Sequence, residues 1–522
     1  MRYLERFLAD KLKENVITFL FYSIIILFFY RGLTYFHSMD GPAHFYNSFL
    51  LKEYLGGNET VKQHFVLNAF YVPNLFSNYF ISFLLFFLSF KTAAAVFFIL
   101  YYFLSFYSAR YLFKAYEVSY AGFCSLVILV FFNSLLLNLG FYNFSWSIIF
   151  LMFSFGFYRK FLNEKDKVLP RNYLLYFLLC FLMYYSNALT LMFFLVYIFI
   201  IEGIRAVNLV FHKQKTPYNV LLPHLIKLFC GTLPFLLMML LFYLNAPLEK
   251  SATPNDYNSL TKLLVNVSSL IVYSYPEESV FTQYIFYFIS AAMMYTIIRR
   301  LILRLGFVKP DIFLMLGVFL LILYYLIPDG SSVGMMSPRL QHFFYLFIIV
   351  WLIMQKDRFM PVILTVMLVS LSVYKFHKVH YPILRSFDSQ AMQIAAVEKY
   401  IEPDKSVMSL NYSENWLLPH GSNYLGLNKP MIILDNYETI LAWFPLSWNY
   451  KNMPIYQFAN ERVSFVIDES QTIKNERRKA DYVFVFGNLN KLAEKQEYTE
   501  ELKNNYQLVY TDSKYLELFR LK

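Results

Sequence analysis

The chain has 522 residues, of which 58% are hydrophobic, 21% aromatic and only 16% charged. Soluble domains carry about 45–50% apolar and about 25% charged residues, so an ordinary water-soluble enzyme is excluded. So are a disordered chain and a coiled coil, which need polar or heptad-patterned sequence. The formal net charge of +11 is divided among many loops. No basic groove interleaved with aromatics is visible of the kind single-stranded nucleic acid needs, and no nucleic-acid partner is expected. Cys124, Cys180 and Cys230 lie in apolar stretches, with neither metal-ligand spacing nor a disulfide framework.

A bilayer core about 30 Å thick takes about 20 apolar residues per helix. In chain order, the runs 16–36, 92–113, 119–137, 144–160, 220–244, 280–298, 311–327, 340–355 and 359–376 are read as spans. Residues 173–203 are read as two short spans divided at Ser186-Asn187, which makes eleven. Residues 75–90 are read as a helix lying in the outer interface. Charge supports this choice, because Lys and Arg accumulate in cytoplasmic loops. With 75–90 interfacial, the outer inter-helix segments hold only Lys52, Lys62, Lys91, Lys250, Lys262 and Arg339. A twelfth span there would invert the bias. The N-terminus is therefore expected in the cytoplasm and the C-terminus outside, in an inner or plasma membrane. The first span is long and no small-residue cleavage site follows it, so it is not read as a cleaved signal.

Residues 377–522 are richer in charge. Short β-type runs occur at 405–410, 431–435, 463–467, 481–486, 506–511 and 514–520, and helical patterns at 388–401 and 488–505. Asp388 or Ser389 is placed to cap the first of these helices and Pro403 to stop it. Strands alternating with helices suggest a small α/β domain. The expected fold class is thus a multi-spanning α-helical membrane protein with a small C-terminal extracytoplasmic α/β domain. Its domains are a membrane domain 1–376, with a long first outer loop 37–91, and the α/β domain 377–522.

Candidate chemistry gathers at the outer rim, because the span cores read as almost free of ionisable side chains. An ion-coupled transporter normally places carboxylates, His or Lys near the midplane. In the first outer loop Asp40 follows the first span closely, at the expected depth of lipid phosphates. Pro42 opens a helix that runs to about Leu55 and stops at Gly56-Gly57. Asp40 and His44 are four apart and share one side of the helix start. Asp40 suits a general base, with His44 orienting it or contacting substrate; the alternative is that Asp40 caps the helix. Further along, Asn74 precedes the interfacial helix, which carries Asn78 and Tyr79. The second outer loop is short, and its Asn138, Tyr142 and Asn143 can orient a sugar or satisfy helix ends.

Arg339 runs against the outside charge bias. It suits a bidentate phosphate contact, with His342 one turn on and with Gly330 and Gly334 allowing close backbone approach. Ordinary lipid head groups are the alternative. Asp256, Glu277 and Glu278 can hold a cation or sugar hydroxyls, with a solvated loop as the default reading. The aromatic-rich stretch 412–450, with His420, Asn423, Asp435, Asn436 and Glu438, suits either sugar binding or a packed underside.

On the residues SMDGPAHFYN (38–47), PDGSSVGMMSPRLQH (328–342) and 423–446, and on the order of spans and outer segments, the chain resembles the GT-C superfamily of integral-membrane glycosyltransferases. That superfamily includes protein O-mannosyltransferases and a lipid A aminoarabinose transferase. The resemblance implies a sugar donor carried on a polyprenyl phosphate and transferred with inversion on the outer face to an acceptor hydroxyl of a lipid, polysaccharide or protein. It also implies that Asp40 is the first-loop catalytic acidic residue. Many members carry a second Asp in the next outer loop, where this chain has Asn138 and Asn143, so no cofactor is assigned and a divalent cation stays open. Two other readings remain: a flippase or transporter of lipid-linked saccharides, and a non-catalytic envelope-assembly protein.

Overall fold

The structure is a computed structural model that describes residues 2–36, 38–162, 169–211, 218–245, 256–328, 335–357, 359–441, 443–449, 451 and 479–522. The expected strand at 463–467, the loop glycines Gly330 and Gly334, and Tyr450 lie outside the described residues. The chain is mostly helical, with a small sheet in its C-terminal part. Six helices are long and apolar enough to cross a membrane: Phe90–Ala115, Ala188–Val207, Leu221–Asn245, Tyr275–Ile302, Met336–Ile353 and Met360–Tyr400. Four shorter apolar helices are Val16–Tyr30, Phe76–Leu85, Ala121–Phe132 and Asp311–Leu326. The chain separates into two compact units, one of 1–31, 100–137 and 142–383, the other of 32–99, 138–141 and 384–522.

In the first unit the division at Ser186-Asn187 is present. Asn187 is extended (φ −162°) between the helices Pro170–Ser186 and Ala188–Phe211. The run 119–137 departs from the single span expected. Helical turns at Ala121–Cys124, Ser125–Ile128 and Leu129–Phe132 end at Asn133 (φ −108°, ψ 63°), and a new turn starts at Leu135. The Tyr101 hydroxyl takes the Phe132 carbonyl that the break leaves without a helical partner.

Ionisable side chains are also buried inside this unit, at the ends of the runs read as spans. Glu278 is fully buried, not solvated. It accepts the backbone N–H groups of Val272, Tyr273 and Ser274 and pairs with Lys375 (3.3 Å) and His380 (2.7 Å). A carboxylate this deep is tolerable only with partners filling its lone pairs. Tyr158 donates to Glu202, and Arg300 makes a two-pronged pair with Asp311, which also accepts from Trp351. Asp256 caps the helix Tyr257–Val265 by accepting from Asn258 N–H.

The second unit is built on a five-stranded sheet of order β3-β2-β5-β7-β6, with β2 Ser406–Tyr412, β3 Ile432–Ile433, β5 Tyr482–Gly487, β6 Tyr506–Thr511 and β7 Leu516–Leu521. β2 runs parallel to β3 and β5, while β7 is antiparallel to both β5 and β6. Every residue of β5 is buried, as a central strand covered on both faces requires, whereas the edge strand β6 is mostly exposed. A separate two-stranded ribbon joins β1 Phe65–Leu67 to β4 Leu446–Trp448, with the rings of Phe65 and Trp448 stacked at 4.5 Å.

The helix expected at 388–401 is not a separate element. Met360–Tyr400 is helical throughout, passing through a π turn at Phe376–His380. Asp388 therefore caps nothing of its own. Its carboxylate instead accepts the backbone N–H groups of Thr34 (2.8 Å) and Tyr35 (2.5 Å). The helix Gly41–Leu55 matches the expected bounds, closed by Gly56 and by Gly57 at φ +93°.

Candidate functional site

Asp40 stands at the N-cap of Gly41–Leu55, yet its side chain makes no capping hydrogen bond. Its backbone is already near-helical (φ −90°, ψ −6°), where a capping Asp is usually extended. The capping reading therefore does not hold, and the carboxylate is turned to other partners. His420 Nε2 lies 3.5 Å from Asp40 Oδ1, and the Tyr437 hydroxyl donates to the same carboxylate. His420 and Tyr437 stack at 4.3 Å with 28° between the rings.

The backbone of Asp40 is fixed by the segment 138–140. Met39 N–H donates to Asn138 O (3.0 Å) and Asp40 N–H to Leu139 O (3.1 Å). Gly140 sits at φ +97°, and a Cβ there would lie 2.8 Å from Asp40 Cβ, so glycine is required on two counts.

His44 Nδ1 is 2.5 Å from Glu438 Oε1, and the ring also donates to the Gly140 carbonyl. With acceptors around it, the ring favours the doubly protonated imidazolium. His44 is thus engaged by Glu438 and the Gly140 carbonyl. The register that brings Glu438 to His44 is set by neighbouring residues of the same helix. Asn47 and Asn436 exchange amide hydrogen bonds in both directions (2.8 and 2.9 Å), and both are buried. The Tyr46 hydroxyl donates to Met431 O (2.6 Å) and accepts from Ile433 N–H (2.9 Å).

The loops that supply His420, Tyr437 and Glu438 follow the carboxyl ends of the parallel strands β2 and β3. In open α/β sheets that edge is where ligands bind.

Burial pushes the Asp40 carboxyl up to about 7. The nearby Glu438 adds to this, while His44 and the Tyr437 hydroxyl oppose it. Burial pulls His44 down, but Glu438, Asp40 and the Gly140 carbonyl outweigh it, and the net direction is upward. Burial, helped by the His44 charge, pushes His420 down to about 3, so its imidazole is neutral near pH 7. The arrangement is a carboxyl near neutrality, faced by a neutral imidazole and backed by a buried ion pair. It is able to exchange a proton at physiological pH.

Of the other residues singled out from sequence, Asn138 belongs to this unit and contributes its backbone carbonyl. Asn74 adopts a left-handed backbone (φ 63°) in the turn before the helix Phe76–Leu85, so its visible role is conformational. Tyr142, Asn143, Arg339 and His342 belong to the first unit. Tyr142 and Asn143 open the buried helix Tyr142–Phe157. Arg339 lies in the first turn of Met336–Ile353, its guanidinium 5.8 Å from the Phe144 ring. His342 is fully buried, edge-on to Phe131 and Phe144, and neither ring nitrogen has a hydrogen-bond partner among the described residues.

Sequence reasoning did not join His420, Tyr437 and Glu438 to Asp40. Their only signal was membership of an aromatic stretch rich in amides and acids. Among the described residues no group of three or more His, Cys, Asp or Glu side chains is placed to hold a metal ion. Compared with family models, curated proteins and solved structures, the chain matches none.

Proposed function

We propose that this protein is an integral-membrane glycosyltransferase of the GT-C kind. In this reading it crosses the membrane eleven times, with its C-terminal segment on the outer face. It moves a sugar from a polyprenyl-phosphate donor to an acceptor hydroxyl, and Asp40 is the general base. The observation that carries the reading is the Asp40 carboxylate itself, released from capping and held near neutral basicity by its surroundings. Asp40 takes the acceptor proton as the acceptor oxygen attacks the anomeric carbon. The carbon–oxygen bond to phosphate breaks on the opposite side, and a single displacement inverts the centre. The leaving phosphate is already anionic and needs no proton from the protein.

The test is an assay of the purified full chain in nanodiscs against a panel of polyprenyl-phosphate sugars, with mass analysis of products. A new glycoside from the native protein and none from a folded Asp40→Asn variant is expected. Undiminished transfer by Asp40→Asn would remove the mechanism.

One observation favours a second reading, translocation of a lipid-linked saccharide: Glu278, Lys375 and His380 are buried ionisable groups on helices long enough to cross a membrane. Their mutual pairing also suits a purely structural role. Movement of labelled lipid across liposomes without any new glycosidic bond would support translocation over transfer.

A further inference from the structure

Four ionisable side chains face Asp40. His44 comes from its own helix, Tyr437 and Glu438 from the turn Tyr437–Ile440, and His420 from the loop after β2. His44 and Glu438 are spent on each other and on the Gly140 carbonyl. That leaves Tyr437 and His420 at the carboxylate. The Tyr437 hydroxyl donates to it, and the His420 ring lies flat on Tyr437 with Nε2 toward Oδ1. The stack is braced from behind, because Phe444 stands edge-on to Tyr437 at 6.0 Å and 82°. The backbone of His420 is pinned as well, its carbonyl accepting both the main-chain N–H and the side-chain amide of Asn423.

We infer that His420 is the positioning residue of Asp40: it presents Nε2–H to Oδ1, holds the carboxylate plane against Tyr437, and sets how readily that carboxylate takes a proton. A neutral imidazole has one N–H to give, and a donor to a carboxylate favours the ionised form. In a buried site where desolvation works the other way, the Tyr437 hydroxyl is already one donor, and an Nε2–H directed along the 3.5 Å contact would be the second. The purpose of this role rests on the reading of Asp40 as a base; its test does not.

The experiment follows Asp40 protonation in the full chain in nanodiscs by infrared difference spectroscopy over pH, using Asp40→Asn to assign the carboxyl band. In the native protein the midpoint is expected near pH 7. His420→Leu removes the donor and should move the midpoint up by about one pH unit. His420→Gln, whose amide N–H can occupy the place of Nε2–H, should restore it. A side chain that served only to fill space would leave the midpoint where it is in both variants, or shift it equally in both, and either result overturns the inference.

A second measurement reads the native ring itself. In protein carrying 15N-histidine, the His420 resonances are assigned by their loss in His420→Gln. They should respond to pH with the Asp40 midpoint while the ring stays neutral. Indifference of those resonances to pH around 7 would equally overturn the inference. If Asp40→Asn retained transfer activity, the base reading would fall, and the titrations would still decide the role of His420.

Discussion

Replacing Asp40 by Asn should make the protein more stable and inactive, with a stability gain that depends on pH. In the folded chain the carboxyl is pushed from its ordinary 3.8 up to about 7. The folded state therefore holds its proton over a range in which the unfolded chain has already lost it, and stability falls as pH rises. The fall begins above about pH 4, continues to about pH 7 and then levels. At about 1.4 kcal/mol per pH unit, the ionised carboxylate costs the fold up to about 4 kcal/mol above neutrality. Readjustment of His44 and Glu438 makes this an upper figure. Asn carries no such penalty. The assay is hydrogen exchange of the amides in Gly41–Leu55, read by mass spectrometry between pH 4.5 and 8.5 after correction for intrinsic exchange rates. Protection in Asp40→Asn should match the native chain at the acid end and exceed it progressively toward the alkaline end. Parallel curves for the two proteins would refute the claim that burial raises this carboxyl, and with it the account of a base tuned at a cost in stability.

Gly140→Ala should be destabilising by about 1–3 kcal/mol, since a Cβ is forced into a positive-φ position against Asp40. It should also lower turnover on the order of 100-fold, because it displaces the base; thermal unfolding and a transfer assay read the two effects separately. Glu438→Gln removes the counterion of His44. The native pair, with the His44 pKa raised, stabilises fully below about pH 6.5 and is lost as pH climbs through the raised value. The variant should lack that alkaline decline in a pH series of unfolding midpoints. Asn47→Ala and Asn436→Ala should each be destabilising, with the double variant less so than their sum by about 1–2 kcal/mol, as a shared hydrogen-bond pair demands in a double-mutant cycle. Glu278→Ala strands Lys375 and His380 and should destabilise the chain by about 3–5 kcal/mol in chemical denaturation.

The features legible in sequence were those encoded locally. Gly56-Gly57 ends a helix because glycine accepts φ +93°, and Ser186-Asn187 interrupts an apolar run with a polar pair. The strands at 406–412, 482–487 and 506–511 carry β-branched and aromatic residues in short runs bounded by turns. What depends on distant partners was not legible. Hydropathy alone read 119–137 as one helix, whereas Asn133 breaks it. Asp388 looked like a cap for the residues that follow it, whereas it receives N–H groups from Thr34 and Tyr35. Glu278 sat beside Glu277 in what read as a wet loop, because its partners Lys375 and His380 lie about a hundred residues away. At the candidate site, Asp40 and His44 were found by their helical spacing. The other half of the site reaches them through β2 and β3, whose pairing no local pattern announces.

The ribbon of β1 with β4, and the bonds from Tyr46 and Asn47 to residues 431–436, have a consequence for synthesis. The helix that carries Asp40 leaves the ribosome early, but the backbone and amide groups that complete it are translated several hundred residues later. During that interval Phe65 lacks Trp448, and Tyr46 and Asn47 lack Met431, Ile433 and Asn436, a long-range closure that folds slowly. A nascent or truncated chain ending before residue 431 would hold the helix Gly41–Leu55 and still lack Tyr437 and Glu438, so the surroundings of Asp40 are completed only by the last part of the polypeptide.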